Sequence, residues 1–227
     1  MGAVEGACRG TPGRERGTRC PVRRVPRLAA VELADIAAVV AGYLVGSVDF
    51  GVIVPRLAGV DIFSAGSGNP GATNVLRTMG RLAAAGVLLG DLVKGLLAAL
   101  LGCLVGGEVV GFAAGFAAVA GHCFPIWHRF RGGKGVATAG GMTFWLEPLL
   151  GLIMLGVWAA TVRVTRRASV ASVLVALGFV PGVAAFGHCG WALAWTGAAA
   201  ALIVARHHEN IMRLVRGEEH TIEEASA

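Results

Sequence analysis

The sequence contains few charged residues for its length. Asp, Glu, Lys and Arg make up 15% of the 227 residues, whereas soluble domains carry about a quarter. Hydrophobic residues account for 55% of the chain, and several apolar runs are long enough to cross a bilayer. The low charge therefore excludes an ordinary soluble domain and predicts an all-α, polytopic membrane protein.

Closely spaced cysteine pairs are also absent. The five cysteines are scattered, at Cys8, Cys20, Cys103, Cys123 and Cys189, and none belongs to a CxxC motif. This spacing indicates neither a zinc site nor a disulfide framework. Cys103 and Cys123 are expected to be small core residues.

Lys and Arg are missing from three predicted turns, at 106–108, 147–148 and 187–190. Outside residues 1–30 and Lys94, they fall into four clusters, Arg56/Arg77/Arg81, Arg129/Arg131/Lys134, Arg163/Arg166/Arg167 and Arg206/Arg213/Arg216. Basic loops of membrane proteins remain on the cytoplasmic side. Seven crossings place all four clusters there, with the N-terminus outside and the C-terminus cytoplasmic.

The apolar runs set the helix boundaries. The predicted helices are Leu33–Val54, Leu82–Val105, Val109–Trp127, Val136–Val162 as one or two segments, Val170–Phe186 and Trp191–Ala205. Pro55 and Arg56 are expected to end the first. Pro148 disfavours helical conformation at Glu147, and a single helix through 136–162 would place the third basic cluster outside. We therefore predict about seven transmembrane helices, of which the fourth and fifth are short.

Three regions are expected along the chain. Residues 1–30 hold seven arginines and little apolar content, which is typical of a basic disordered extension. An n-region of a signal peptide and a start codon placed too early are the alternatives, and the arginines do not suit an outside N-terminus. Residues 31–220 form the integral-membrane domain, and residues 221–227 form a disordered tail.

Ser64–Arg81 forms a polar, glycine-rich first island between apolar stretches. Gly66, Gly68 and Gly71 allow tight turns that expose backbone N–H groups. The island also supplies polar side chains and one planar cation, from Ser67, Asn69, Thr73, Asn74 and Arg77. These groups suit an oxyanion, most simply a phosphate. The alternative is an ordinary glycine-rich membrane loop, because turns use the same residues.

Two other segments are predicted on the same membrane face. The second island, His128–Gly135, supplies Lys134 among three glycines, and the C-terminal segment supplies His207 and Asn210, three residues apart on one helix face. His207 and His208 are adjacent and diverge by about 100° on a helix, so they make a poor metal pair. We expect neither a metal nor another cofactor.

Two nucleotide-binding motifs are matched only in part by this sequence. Lys134 is followed by Gly135, whereas a P-loop needs Ser or Thr at that position. Gly66, Gly68 and Gly71 match GxGxxG, with Asp91 about twenty residues later, but a dinucleotide fold needs a preceding strand rather than a membrane helix.

The remaining ionisable groups favour structural roles. Asp91 and Lys94 are three residues apart on one helical face and are expected to pair and orient their helix, with direct participation in catalysis as the alternative. Asp49 is expected at the membrane interface. His122 is expected to be a packed, hydrogen-bonded side chain.

Four motifs carry a family resemblance: GSVDFG at 46–51, GSGNPGATNVLRTMG at 66–80, GHCFPIWHRFRGGKGVAT at 121–138 and RHHENIMRLVRGEEH at 206–220. From about Leu33 to His220 the chain resembles the bacterial glycerol-3-phosphate acyltransferases that use acyl phosphate. Three positions depart from the family pattern, namely Asp49 for Pro or Thr, Phe63 for Arg and His208 for Arg.

The resemblance implies a seven-helix fold and a reaction in the first step of phospholipid synthesis. An acyl group would pass from acyl phosphate to the 1-hydroxyl of glycerol 3-phosphate, giving lysophosphatidic acid and phosphate. The implied catalytic residues are Ser67, Arg77 and Lys134, and the implied substrate-binding residues are Gly68, Asn69, Thr73, Asn74, Ser172, His207 and Asn210. A multi-pass monomer in the inner membrane is expected, with a cytoplasmic active site and no nucleic-acid partner.

The resemblance further implies substrate-assisted catalysis without an acyl-enzyme, because acyl phosphate is already an activated mixed anhydride. Backbone N–H groups near Ser67 would then stabilise the carbonyl oxyanion. Two alternatives stay open. One is a covalent enzyme with Ser67 as nucleophile and His207 as base, although no GxSxG elbow is present. The other is an anion transporter using the same basic loops.

Overall fold

The computed structural model describes residues 31–222, so the predicted extension 1–30 and residues 223–227 of the predicted tail lie outside it. Within this range the chain is all-α, as predicted, and contains no strand. The helices are α1 (Leu33–Gly46), α2 (Phe50–Leu57), α3 (Ala72–Met79), α4 (Arg81–Gly106), α5 (Glu108–Cys123), α6 (Val136–Leu146), α7 (Pro148–Thr165), α8 (Ala168–Ala185), α9 (Trp191–Arg206) and α10 (His208–Arg216).

Five stretches of residues 31–222 are long and apolar enough to cross a membrane: Leu33–Leu57, Arg81–Gly106, Glu108–His128, Pro148–Thr165 and Ala168–Ala185. Two further apolar helices are shorter, α6 with 11 residues and α9 with 16. The expectation that both halves of 136–162 are short is wrong for the second half. α7 extends to Thr165 and reaches 18 residues, so α9 is the second short helix.

The predicted break at Glu147–Pro148 is confirmed, whereas the first predicted helix is divided. Glu147 is non-helical and Pro148 is the first residue of α7, a position that proline favours. The first helix stops at Gly46, and the Asp49 carboxylate accepts the Gly51 N–H at 3.0 Å to start α2. Pro55 lies inside α2 rather than ending it, where it removes one main-chain hydrogen bond.

Small residues bring α6 against the central helix α4, which also packs on α1 and α5. A Cβ atom on Gly95 of α4 would overlap the Thr138 carbonyl, and one on Gly141 of α6 would overlap the Leu92 carbonyl. Such close backbone approach is typical of membrane helices. It holds the start of α6, and therefore the preceding Lys134, close to α4.

The three turns without Lys or Arg gather at one end of the molecule. His188 Nδ1 lies 2.5 Å from Glu108 Oε1, and its Nε2 lies 2.9 Å from Glu147 Oε1. Burial opposes the charged form, but the two carboxylates prevail and raise the pKa of His188. α4 separates this end from the first island by about 39 Å, at 1.5 Å per residue.

Two cysteines near this end correct the sequence analysis. Cys103 and Cys189 are disulfide-bonded, so the expectation of no disulfide framework is wrong for them. Single cysteines far apart in sequence carry no pairing signal, which explains the error. Cys103 and Cys123 are buried, as expected, and Cys123 is a free thiol.

Candidate active site

A cavity of about 490 Å³ has a polar lobe between the two islands and α10, and an apolar lobe between α4, α6, α7 and α8. Nine predicted site residues line it: Ser67, Asn69, Thr73, Asn74, Arg77, Lys134, Ser172, His207 and Asn210. Gly68 does not belong to the lining. Its φ of +69° and its N–H bond to Ala65 O, at 3.0 Å, make it a turn residue.

Asn74 holds the first island in shape rather than facing a ligand with a free amide. Its Oδ1 accepts the Ser67 N–H at 2.9 Å, and its Nδ2 donates to Ala65 O at 3.0 Å. Gly66 adopts φ +56°, and a Cβ atom there would overlap the Asn74 amide. The Ser67 N–H is therefore already bonded, and the expectation that backbone N–H groups near Ser67 stabilise an oxyanion stays a prediction for the other N–H groups of the island.

The first island ends in a helix that the sequence analysis treated as loop. α3 begins at Ala72, and Ala72 and Thr73 line the cavity. The first N–H groups of a helix have no acceptor within that helix. They therefore present a positive helix end to the cavity, which is a favourable site for an anion.

Arg77 is bound by the segment that follows α10. Its Nη2 donates to His220 O at 3.2 Å and to Thr221 O at 2.9 Å. The same segment is fixed elsewhere, since Ile222 N donates to Arg166 O at 2.8 Å. Arg77 thus lies on the cavity wall with the C-terminal segment against it.

Lys134 is hydrogen-bonded to the C-terminal region, a contact that the sequence analysis did not predict. Its ammonium donates to Asn210 Oδ1. Asn210 Nδ2 donates in turn to Glu219 Oε1 at 2.6 Å, and Arg213 Nε donates to Glu219 Oε2 at 2.9 Å. Burial, reinforced by Arg213, lowers the pKa of Lys134 to about 8.

Glu219 is a cavity residue that sequence reasoning missed. Its side chain is 3% exposed and lines the polar lobe. Burial favours its neutral form, but hydrogen bonds from Asn210 and Arg213 outweigh burial and lower the pKa of Glu219. The only available signal was its place inside the RHHENIMRLVRGEEH motif.

His207 is neutral and has a defined tautomer. Its Nδ1 lies 2.7 Å from Ile203 O, and because a carbonyl only accepts, Nδ1 carries the proton. Burial lowers the pKa of His207 to about 4. Nε2 is therefore the ring's acceptor for a substrate hydroxyl in the cavity.

Ser172 marks the junction of the two lobes. Its Oγ donates to Ala168 O at 2.8 Å and accepts from Trp158 Nε1 at 3.2 Å. Beyond Trp158 the lining is apolar, from Leu88, Phe144, Met154, Leu155, Val175 and Phe179. α7 buries only Leu150 and Gly151 among its described residues, so this lobe lies beside a lipid-facing helix.

The departures from the family pattern have local explanations. Phe63 lies under the Arg131 guanidinium, 4.8 Å from ring centroid to Cζ. The His208 side chain is 70% exposed and does not line the cavity. Asp49 caps α2 and is fully buried within the protein, and its expected position at the membrane interface stays a prediction.

A buried ionic cluster borders the cavity. Lys94 Nζ lies 2.7 Å from Asp91 Oδ1, which confirms the expected pair. Ligand atoms of Asp49, Asp91 and His122 lie within 4.8 Å of one another. The Lys94 ammonium, bonded to two of the three, supplies the positive charge that a metal ion would bring. Asp91, which was expected to pair with Lys94, and His122, which was expected to be packed, both line the cavity.

Comparison with known proteins agrees with this geometry. The family model for glycerol-3-phosphate acyltransferase matches residues 36–217. A glycerol-3-phosphate acyltransferase of Cupriavidus necator is 42% identical over 203 residues, which cover 85% of this chain and 98% of the relative.

Two crystal structures of PlsY, an integral membrane glycerol 3-phosphate acyltransferase, match the fold. The glycerol 3-phosphate form has a TM-score of 0.80 and the lysophosphatidic acid form 0.78, both at 37% identity. Each match covers 83% of this chain and 95% of the PlsY chain. The chain therefore belongs to the glycerol-3-phosphate acyltransferase family of integral membrane proteins.

Proposed function

We propose that this protein transfers an acyl group from acyl phosphate to the 1-hydroxyl of glycerol 3-phosphate, giving lysophosphatidic acid and phosphate. The observation that carries the proposal is one cavity that joins a cationic lobe to an apolar lobe. Two phosphorylated reactants fit the first lobe, and an acyl chain fits the second. The named substrate and product forms of the PlsY structures support this assignment.

The acyl-phosphate head lies against Arg77, Lys134, Ser67 and the first turn of α3. Arg77 and Lys134 offset the repulsion between two phosphate groups, and the helix end adds backbone donors. Ser172 lies where the polar lobe meets the apolar lobe, so it is placed to contact the head while the chain passes Trp158. The chain then lies between α6, α7 and α8.

Glycerol 3-phosphate lies beside His207 and Asn210. His207 Nε2 accepts a glycerol hydroxyl, because Nδ1 is already committed to Ile203 O. Asn210 is held between Lys134 and Glu219, which orients its amide. Positioning two reactants in this way is sufficient to accelerate transfer from an activated donor.

The transfer is a direct displacement at the acyl carbon. The 1-hydroxyl oxygen bonds to the carbonyl carbon, and the bond from that carbon to the bridging phosphate oxygen breaks. The phosphate leaves with the electron pair and takes the hydroxyl proton on one of its oxygens. Arg77 and Lys134 stabilise the charge on the departing phosphate.

The covalent alternative receives no support from the geometry. Within residues 31–222 no hydrogen bond joins Ser67 to His207, and the His207 Nδ1–H bonds a backbone carbonyl rather than an orienting carboxylate. Mass spectrometry of enzyme quenched with acyl phosphate is expected to find no adduct on Ser67. A stable acyl-Ser67 would establish the covalent route.

We also propose that a single chain suffices and that the site faces the cytoplasm at the inner membrane. The four basic clusters flank the end that carries the islands, as the positive-inside rule requires of a cytoplasmic end. The disulfide-bonded Cys103 and Cys189 belong to the opposite end, which suits an oxidising compartment.

The test is an assay of purified protein with long-chain acyl phosphate and labelled glycerol 3-phosphate. Equimolar lysophosphatidate and phosphate are expected, with acyl-CoA inactive as donor. Uptake of glycerol 3-phosphate into vesicles without product formation would instead favour the transporter. Product formed from acyl-CoA alone would overturn the proposed donor.

A further inference from the structure

Lys94 is enclosed by acceptors in the membrane interior. Its Nζ lies 2.7 Å from Asp91 Oδ1, 2.9 Å from His122 Nδ1 and 2.8 Å from Val48 O. An ammonium has three N–H donors, so each has a partner. Asp91, Lys94 and His122 are at most 3% exposed. A pair that only oriented α4 would not require the contact with His122.

The contact with Lys94 selects one form of the His122 ring. An ammonium has no lone pair, so in this contact His122 Nδ1 accepts and Nε2 carries the ring proton, while the same Nδ1 lies 3.4 Å from Asp91 Oδ1. Nε2 and Cε1 form the ring edge that faces Gly133. A Cβ atom at 133 would overlap both, and the ring cannot rotate away while Lys94 holds it.

His122 therefore holds the turn that precedes Lys134. Its backbone O accepts the Gly133 N–H at 3.1 Å, while its ring edge packs on the same glycine. On the other side of the turn, Arg206 donates from Nη2 to Gly132 O at 2.9 Å and from Nε to Gly133 O at 3.2 Å. The turn is therefore held on one side by His122 of the ionic cluster and on the other by Arg206 of α9.

We propose that Asp91, Lys94 and His122 are positioning residues that aim the Lys134 ammonium at the donor phosphate through Gly133. The cluster thus acts on the reaction without touching the transferred acyl group. This inference rests on the proposed function for the role of Lys134, but the placement of Lys134 itself is measurable without substrate.

The first test is a double-mutant cycle with Lys94→Met and Lys134→Ala. Methionine keeps about the length of the side chain and removes the ion pair with Asp91 and the two hydrogen bonds with His122 and Val48. Lys94→Met is expected to lower kcat at least about tenfold in the wild-type background and less than about twofold in the Lys134→Ala background, because residues that act as a unit are not additive. Equal fold losses in both backgrounds would overturn the proposal.

A second variant covers the case in which Lys94→Met does not fold. Gly133→Ala leaves the ionic cluster intact and pushes the turn off the His122 ring. It is expected to give a similar loss of kcat that again disappears with Lys134→Ala. Gly178→Ala is the control, since a Cβ atom there meets nothing within 4 Å and the residue does not line the cavity. Unchanged kcat in Gly133→Ala would contradict the inference.

A substrate-free readout separates this inference from the proposed function. Lys94 and Lys134 are the only lysines in the chain, so amine labelling of the Lys94→Met protein, read on the Lys134 peptide by mass spectrometry and thus separately from the α-amine, reports on Lys134. Burial and the neighbouring Arg213 lower the pKa of Lys134 to about 8, so a Lys134 ammonium that leaves this position in Lys94→Met is expected to show a labelling midpoint higher by about one pH unit or more than in the wild type. An unshifted midpoint would refute the positioning role. Absence of wild-type turnover with acyl phosphate would refute only the proposed function.

Discussion

Lys134 lies where the second island, α10 and the C-terminal segment meet, and its ammonium donates to Asn210. Lys134→Ala removes the cation that stabilises the departing phosphate in the proposed mechanism. We predict a loss of kcat of at least about tenfold, equivalent to about 1.4 kcal/mol of transition-state stabilisation. The measurement is initial rate at saturating acyl phosphate, with folding checked by the thermal midpoint.

A matched control comes from the same basic end of the molecule. Arg216 is exposed on α10 and does not line the cavity. Arg216→Ala removes one positive charge without touching the cavity, and its rate is expected to stay within about twofold of wild type. A near-normal rate for Lys134→Ala would show that the ammonium has no part in catalysis.

The pKa values of the two cavity bases define a pH profile. Lys134, with a pKa of about 8, is charged below that pH and neutral above it. His207, with a pKa of about 4, is neutral from about pH 5 upward. We therefore predict that kcat/KM is steady from about pH 6 to 7 and falls as pH rises through 8.

Lys134→Arg separates deprotonation of Lys134 from ionisation of the substrates. Ionisation of the substrates affects the wild-type enzyme and the variant equally. Arginine remains charged at all these pH values, so the residual activity of the variant should lack the alkaline fall. An alkaline fall at the same pH in both proteins would assign it to another group.

At the scale of residues, the sequence predicted which side chains meet but not what each one contacts. The polar islands stand out in an apolar chain, so Arg77, Lys134 and Asn210 could be selected in advance. The hydrogen bonds across the fold could not be predicted in advance. Through them Asn74 stabilises its own loop, and Glu219 accepts a hydrogen bond from Asn210. His122 was underestimated because its link to Gly133 depends on the packed structure.

At the scale of elements, α6 forms one wall of the apolar lobe. A Cβ atom on Gly140 meets nothing within 4 Å, and this residue lines the cavity. Gly140→Leu is therefore expected to fill the lobe without disturbing the helix packing. We predict that the ratio of kcat/KM for a sixteen-carbon over an eight-carbon acyl phosphate falls at least about fivefold.

Gly156 on α7 is the matched control for this substitution. It also has no neighbour near its Cβ position, but it does not line the cavity. Gly156→Leu should leave the chain-length ratio unchanged. Equal chain-length ratios in Gly140→Leu and wild type would show that the acyl chain lies elsewhere.

Long apolar runs predicted most of the elements, because burial in lipid requires helices of roughly the observed lengths. The misses are where polar groups act locally. Asp49 restarts the chain as α2, and α3 forms inside a stretch whose glycines indicated a loop. α10 forms in a segment whose His207 and Asn210 were expected on one helix face but for which no helix boundaries were predicted.

At the scale of the whole molecule, the orientation proposed from the basic clusters has a direct test. Two reporters fused after Ile222 show on which side of the membrane the C-terminal segment lies. A fluorescent protein that folds only in the cytoplasm is expected to be active, and alkaline phosphatase, which is active only outside, is expected to be inactive. The opposite pattern would place the cavity on the outer face of the membrane, where glycerol 3-phosphate from the cytoplasm could not reach it.

Direct transfer requires both phosphorylated reactants to occupy the cavity at once. The decisive measurement is a two-substrate initial-rate study, with phosphate release followed in the absence of acceptor. Direct transfer predicts intersecting double-reciprocal lines and no phosphate burst until glycerol 3-phosphate is added. Parallel lines with a stoichiometric burst of phosphate would show that the acyl group first moves to the protein, contrary to the mechanism.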